Sequence, residues 1–255
     1  MRFPTTRHRH RREILDAGFT DAWRQVLSTV MAHWAYLDDD ERERLGERAV
    51  TLAASLRWEA ARGFELSDEI TMLIAAEAAL IALERPDDSF REVRTVVVHP
   101  TTMVMSGQHS QVSGVVSDDP TPIIGQANPF GPVLIAWDAA QFAARHPEEG
   151  NNVVFHEFAH KLDMLTGMAN GTPPMDDAEQ ERRWVEACGA AYERVVEGRS
   201  RALRPYAGVN PAEFFAVATE VFFDTPDVLV HHEPALYAEL AGWYGQDPAA
   251  RTPRH

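Results

Sequence analysis

The 255 residues predict a single α+β domain, mainly helical with a small mixed sheet, and three observations carry that expectation. Apolar residues recur at helical spacing through most of the first 85 positions and again from about residue 151. Two short β-branched runs, TVVVHP at 95–100 and PVLIAW at 132–137, lie between those stretches among Gly, Pro, Ser and Asp. A content of 45% hydrophobic and 25% charged residues is that of an ordinary globular chain able to bury a sizeable core.

Taken in order, RHRHRR at 7–12 reads as a solvated, mobile tail over about residues 1–12, with a nucleic-acid arm as the lesser alternative. Between Asp21 and about Gly63 two helices are expected. Trp23, Val26, Val30 and Trp34 recur at near-helical spacing in the first, and DDDERERLGERAV gives the second an acidic opening turn. A third helix over 66–84 has Ser67 as N-cap, Asp68 and Glu69 in its first turn, and a body apolar enough to be buried. After the two strand-like runs, helices resume in NNVVFHEFAHKLDMLTG, DDAEQERRWVEACGAAYERVVEG, NPAEFFAVATEVFF and PALYAELAGWYG. Residues from about 247 to 255 read as a second mobile tail of the one domain, 1–255.

Charge and cysteine usage exclude several classes. With 39 acidic against 24 basic residues the net charge is −15, a field that repels phosphates and argues against direct nucleic-acid or anionic-membrane binding. The single cysteine, Cys188, allows neither an intramolecular disulfide nor a Cys-rich metal site. No run approaches the roughly 20 apolar residues of a membrane span, and the start lacks an apolar export signal, so a cytoplasmic location is expected.

The chemistry concentrates in HEFAH, residues 156–160. On a helix turning about 100° per residue, His156 and His160 lie about 40° apart and one turn displaced, able to hold one ion together. Glu157 is beside them, placed to take a proton from a water at an open coordination position. Asn151 or Asn152 can cap this helix, Gly167 can stop it, and its apolar neighbours suggest a buried helix whose polar groups need partners. The alternative is a histidine pair satisfied without metal.

A third ligand is needed. The glycine and histidine that extend this pattern in some metallopeptidases are replaced by Asp163 and Thr166. The second helix NPAEFFAVATEVFF carries Glu213 and Glu220 on one face among phenylalanines, and spacing alone does not choose between them. Asp163 returns to the face of His156 and reads as a supporting partner or local cap, and His231 and His232 as a surface pair on a loop.

HEFAHKLD at 156–163, YAGVNPAEFFAVATEVFF at 206–223 and GPVLIAW at 131–137 together resemble the zinc metallopeptidases typified by Mlc titration factor A, distantly similar to the catalytic domain of anthrax lethal factor. The likeness spans roughly residues 15–245 and implies a zincin-like (gluzincin) fold, with the active-site helix below an edge strand, PVLIAW, that pairs with an extended peptide. It implies one Zn2+ per chain held by His156, His160 and Glu213, with Glu157 as general base and Tyr206 stabilising the oxyanion. The implied activity is peptide hydrolysis through a zinc-bound water, aminopeptidase-like on short peptides. The alternative it implies is a regulatory binding protein that sequesters a transcriptional repressor of sugar uptake, with peptidase activity secondary. No role for Glu220 follows from the resemblance.

Overall fold

The computed structural model describes residues 6–61, 63–101 and 131–253. Helix α1 (Thr6–Ala17) opens the described chain, so the stretch expected as a tail through residue 12 is helical from Thr6 onward. Helix α2 (Asp21–Val30) starts on Thr20, whose hydroxyl accepts from the Trp23 N–H, and leads into a 3-10 turn over Ala32–Tyr36. Helix α3 (Asp39–Ser55) begins with a capping box. The Asp38 carboxylate accepts from the Glu41 N–H at 2.8 Å and the Glu41 carboxylate accepts from the Asp38 N–H at 2.9 Å.

The helix expected to continue to Gly63 stops at Ser55, and Arg57–Ala60 form strand β1 instead. Arg, Glu and Ala tolerate helix well, so local preference points the wrong way. Main-chain pairing with Thr95–Val98 overrides it. Helix α4 (Asp68–Ile81) starts on the expected Ser67 cap and is buried almost throughout. It carries the chain across to β2 (Thr95–His99), and β3 (Val133–Ala136) pairs on the far side of β2.

The sheet corrects one expectation. Among the described residues it is not mixed: β1 and β2 run parallel with Trp58 opposite Val96, and β2 and β3 run parallel with Val97 opposite Leu134. A crossover through α4 returns the chain to the end from which β1 started, which forces β2 into the same direction. Helix α5 (Trp137–Arg145) grows directly out of β3, where no helix is expected from sequence. Its inward face is Ala140, Ala143 and Ala144, residues too small to mark a strong apolar period.

Helices α6 (Val153–Asp163), α7 (Ala178–Val196) and α8 (Pro211–Asp224) follow, then α9 (Pro226–His232) and α10 (Pro234–Tyr244). Of these, only α9 is unanticipated. His231 and His232, expected on a loop, occupy its last turn. Every residue of α8 from Ala212 to Asp224 is buried, with α6 against it and α4 on the other side of α6. Phe215 and Phe222 of α8 pack ring to ring against Trp184, Trp243 and Tyr244, so the helix that carries both glutamates is walled by aromatic side chains.

The C-terminal stretch is also tied down through residue 251. Gln246 donates to the Leu80 carbonyl at 2.9 Å, the Tyr237 hydroxyl donates to Asp247 at 2.5 Å, and Arg251 pairs with Glu41 at 2.7 Å. Among the described residues no helix is long and apolar enough to cross a membrane.

Candidate metal centre

One residue sets the start of the HEFAH helix. The Asn152 side-chain oxygen accepts from the N–H groups of Val154 and Phe155 at 3.0 and 3.1 Å, capping α6. The rest of Asn152 reaches two other helices: its side-chain amide donates to Glu77 of α4 at 2.9 Å, and its backbone N–H donates to Glu220 of α8 at 2.8 Å. Helix α8 is started in turn by Asn210, which accepts from the Glu213 N–H at 3.0 Å, with Pro211 as its first residue. Glu213 is thereby held in the first turn of a buried helix.

These caps bring His156, His160 and Glu213 to one point. Their ligand atoms all lie within 4.8 Å of one another, and all three residues are buried. The two imidazole Nε2 atoms are 3.2 Å apart. Glu213 places Oε2 3.1 Å from His156 Nε2 and Oε1 3.5 Å from His160 Nε2. Two imidazole nitrogens cannot both carry protons toward each other at that distance, and Glu213 Oε2 has no hydrogen-bond partner among the described residues. Two imidazoles and a carboxylate converging in a buried site fit a divalent cation, and zinc takes such N and O donors readily.

The choice between the two glutamates is made by which side of His156 each meets. Glu220 lies on the far side, its Oε1 accepting from His156 Nδ1 at 2.7 Å, so the Nε2 lone pair is turned toward the cluster. Glu220 is itself pinned by Arg204, which donates to Oε1 at 2.6 Å and to Oε2 at 3.2 Å. Burial works against a charge on His156, but Glu213 and Glu220 on its two sides outweigh it and raise the imidazole to about 10. Glu213 likewise resists burial through His156 and His160 and is held down at about 2. The cluster therefore favours positive charge at its centre, and a metal ion there would supply it in place of a proton.

The remaining candidates divide clearly. Glu157 is half-buried beside the cluster; burial pushes its carboxyl up, with His156 and His160 pulling the other way. Tyr206 sits in a 3-10 turn over Pro205–Gly208 with its ring 6.1 Å from that of His156. Burial and then Glu213 raise its phenol, which keeps the hydroxyl a donor at neutral pH. Asp163 stands outside the cluster: its Oδ2 accepts from the Gly171 N–H at 2.8 Å. Gly171 has φ +77°, and a Cβ there would lie 2.4 Å from the Pro211 carbonyl, so this loop is fitted to the first turn of α8. Neither His231 nor His232 belongs to the cluster. Asn152 is one of the two asparagines expected to cap α6, but Arg204, Glu77 and the links from Asn152 to Glu77 and Glu220 escaped sequence reasoning, because no spacing rule links residues on separate helices.

Glu77 gives a test of this support. It is fully buried, burial pushes its carboxyl up to about 8, and the Asn152 amide opposes the rise. A carboxyl raised in the folded state contributes stability that is complete below its unfolded value near 4.5 and is lost as pH climbs through about 8. Glu77→Gln keeps an acceptor for Asn152 and removes the titration. Urea unfolding is expected to show the wild type losing on the order of 3 kcal/mol relative to this variant between pH 5 and 8. Parallel pH profiles would contradict it.

Two imidazoles and a carboxylate facing one point, with a further carboxylate one residue along the chain, form a group that could hold a metal ion, the arrangement that metal-dependent hydrolases use. A model of the family described as glucose-regulated metallo-peptidase M90 matches residues 5–245, and the chain belongs to that family of metallopeptidases. An uncharacterized protein from Synechocystis sp. is 29% identical over 231 residues, covering 89% of this chain and 84% of its own. Mlc titration factor A from Edwardsiella ictaluri is 32% identical over 224 residues, 85% of each chain. Mlc titration factor A from Yersinia pestis is 31% identical over 240 residues, 91% of this chain and 87% of its own.

Proposed function

We propose that the protein is a zinc-dependent peptidase in which His156, His160 and Glu213 hold the metal, Glu157 is the general base and Tyr206 is the oxyanion donor. The observation that carries this reading is the convergence of the three donor residues within 4.8 Å, with Glu157 adjacent. When bound, zinc supplies Lewis acidity and lowers the pKa of water at its open position to about 7. Glu157 takes the proton of the attacking water and returns it to the departing amine; a carboxyl raised by burial suits both directions near neutral pH. Tyr206 donates its hydrogen to the oxygen on which charge develops. Glu220 and Arg204 keep the His156 ring from rotating out of position.

The substrate inferred is a short extended peptide, attacked near its amino end. The outer edge of β3 pairs with no strand among the described residues and lies next to α6, a geometry that suits strand addition. A cytoplasmic location is inferred from the single cysteine. Metal removal tests the whole reading. Purified protein is expected to carry about one zinc per chain, to lose peptide hydrolysis on chelation and to regain it with added zinc. Protein that neither contains nor takes up zinc would defeat it.

A second reading has its own support, since two of the relatives are called Mlc titration factor A. In it the protein captures a transcriptional repressor, and hydrolysis is secondary.

A further inference from the structure

The histidines and the glutamate of the cluster ride on two different helices, so the site exists only at one setting of α6 against α8. The pair runs antiparallel: Asn152 and His156 at the start of α6 meet Glu220 late in α8, whereas His160 further on meets Glu213 in the first turn of α8. At one end the setting is fixed by the Asn152 N–H on Glu220. At the opposite end a short loop makes the connection. Asp163, the last residue of α6 and fully buried, accepts from the Gly171 N–H at 2.8 Å through Oδ2. The Gly171 carbonyl accepts from Trp184 Nε1 at 3.0 Å, and the Pro174 carbonyl accepts from Trp243 Nε1 at 2.8 Å, so two buried indoles hold the loop as well.

Gly171 in turn abuts α8. A Cβ on it would lie 2.4 Å from the Pro211 carbonyl oxygen and 2.8 Å from the carbonyl carbon, so the loop backbone acts as a stop against the first turn of that helix. Pro211 precedes Glu213 in the same turn, and Glu213 is buried with its N–H on Asn210, so its carboxylate has little freedom to follow a metal if the turn is displaced. A metal–ligand bond keeps its length to within about 0.2 Å. Cβ atoms do not come within 3.0 Å of backbone, so a methyl group on Gly171 would move the turn or the loop by more than that tolerance. We propose that Asp163 and Gly171 are positioning residues for the metal: together they set where the first turn of α8 sits against α6, and so where Glu213 meets His156 and His160. Asp163 acts through the loop and α8, not on a histidine of its own helix. The role rests on the metal-site reading of the cluster and involves neither residue in proton transfer.

Zinc titration of the full chain against a competing chelator, on protein whose folding is checked by thermal unfolding without metal, tests the proposal. Gly171→Ala is expected to weaken zinc binding by about tenfold or more, the scale on which residues that support a ligand act. Asp163→Ala introduces no clash but leaves the Gly171 N–H without its acceptor, and should weaken zinc in the same direction. Asp163→Asn still offers that N–H an oxygen and should recover most of the affinity. The deciding measurement repeats Gly171→Ala and Asp163→Ala in Glu213→Ala protein. Because the role runs through Glu213, neither change should weaken zinc further there. A general loosening of the fold would disturb the two histidines as well, and the loss would persist. Unchanged zinc affinity in Gly171→Ala and Asp163→Ala, or an equal loss with and without Glu213, would overturn the proposal and leave the metal-site reading standing. Wild-type protein that takes up no zinc would instead defeat that reading, and this role with it. Asp163→Ala carries the test where Gly171→Ala fails to fold.

Discussion

Glu157→Gln is expected to lower peptide hydrolysis by about 10²- to 10⁴-fold while leaving the metal content unchanged. The side chain is not one of the three that converge, so its amide does not alter the donor set. What the change removes is the carboxylate that accepts the proton, and an amide oxygen cannot take its place. The fold should tolerate it, since the wild-type carboxyl is already pushed up by burial and a neutral side chain of the same shape relieves that cost. Peptide turnover and metal content measured on the same preparation decide the matter. Hydrolysis at the wild-type rate would remove Glu157 from the chemistry. The same variant separates the two functional readings: an inactive protein that retains its full biological effect would make capture of a partner the function and hydrolysis incidental.

The second large effect is a ranking. Glu213→Ala is expected to lose more metal affinity than Glu220→Ala, because Glu213 presents its carboxylate to both Nε2 atoms whereas Glu220 reaches only the far nitrogen of His156. Loss of a supporting carboxylate of the second kind typically costs about 10- to 100-fold in metal affinity. Loss of a direct ligand should exceed that. Glu220→Ala has a separate cost in stability, since it strips Arg204 and the Asn152 N–H of their acceptor. With the guanidinium about one-third exposed, that cost is about 2 kcal/mol. Glu220→Gln, which keeps an acceptor for His156, should recover most of the affinity. Zinc titration against a competing chelator, on protein checked for folding, gives the order; the reverse order would mean that Glu220 is the ligand.

The caps and the helix period were legible in the chain. Ser67 predicts where α4 begins, an asparagine before HEFAH predicts the start of α6, and a separation of four places His156 and His160 on one face. β1 was not legible, because RWEA has little strand character beyond Trp58 and pairs as a strand only against β2. Helix α5 escaped because its buried face is alanine. The parallel direction of the three strands follows from where α4 delivers the chain, which no run of four or five residues encodes.

The candidate site divides along the same line. By itself the sequence determined that two histidines and a glutamate share one helix and that two more glutamates lie on one face of another, because hydrogen-bonded turns relate residues three and four apart. Only the tertiary structure decided that Glu213 meets the Nε2 atoms, that Glu220 meets Nδ1, and that Asn152 ties Glu77 and Glu220 to the start of α6. Those partners are separated by between 53 and 75 residues along the chain, as the positions of His160 with Glu213 and of Asn152 with Glu77 give. Contacts at that range are set by how buried helices pack, and packing depends on the shape of the whole core.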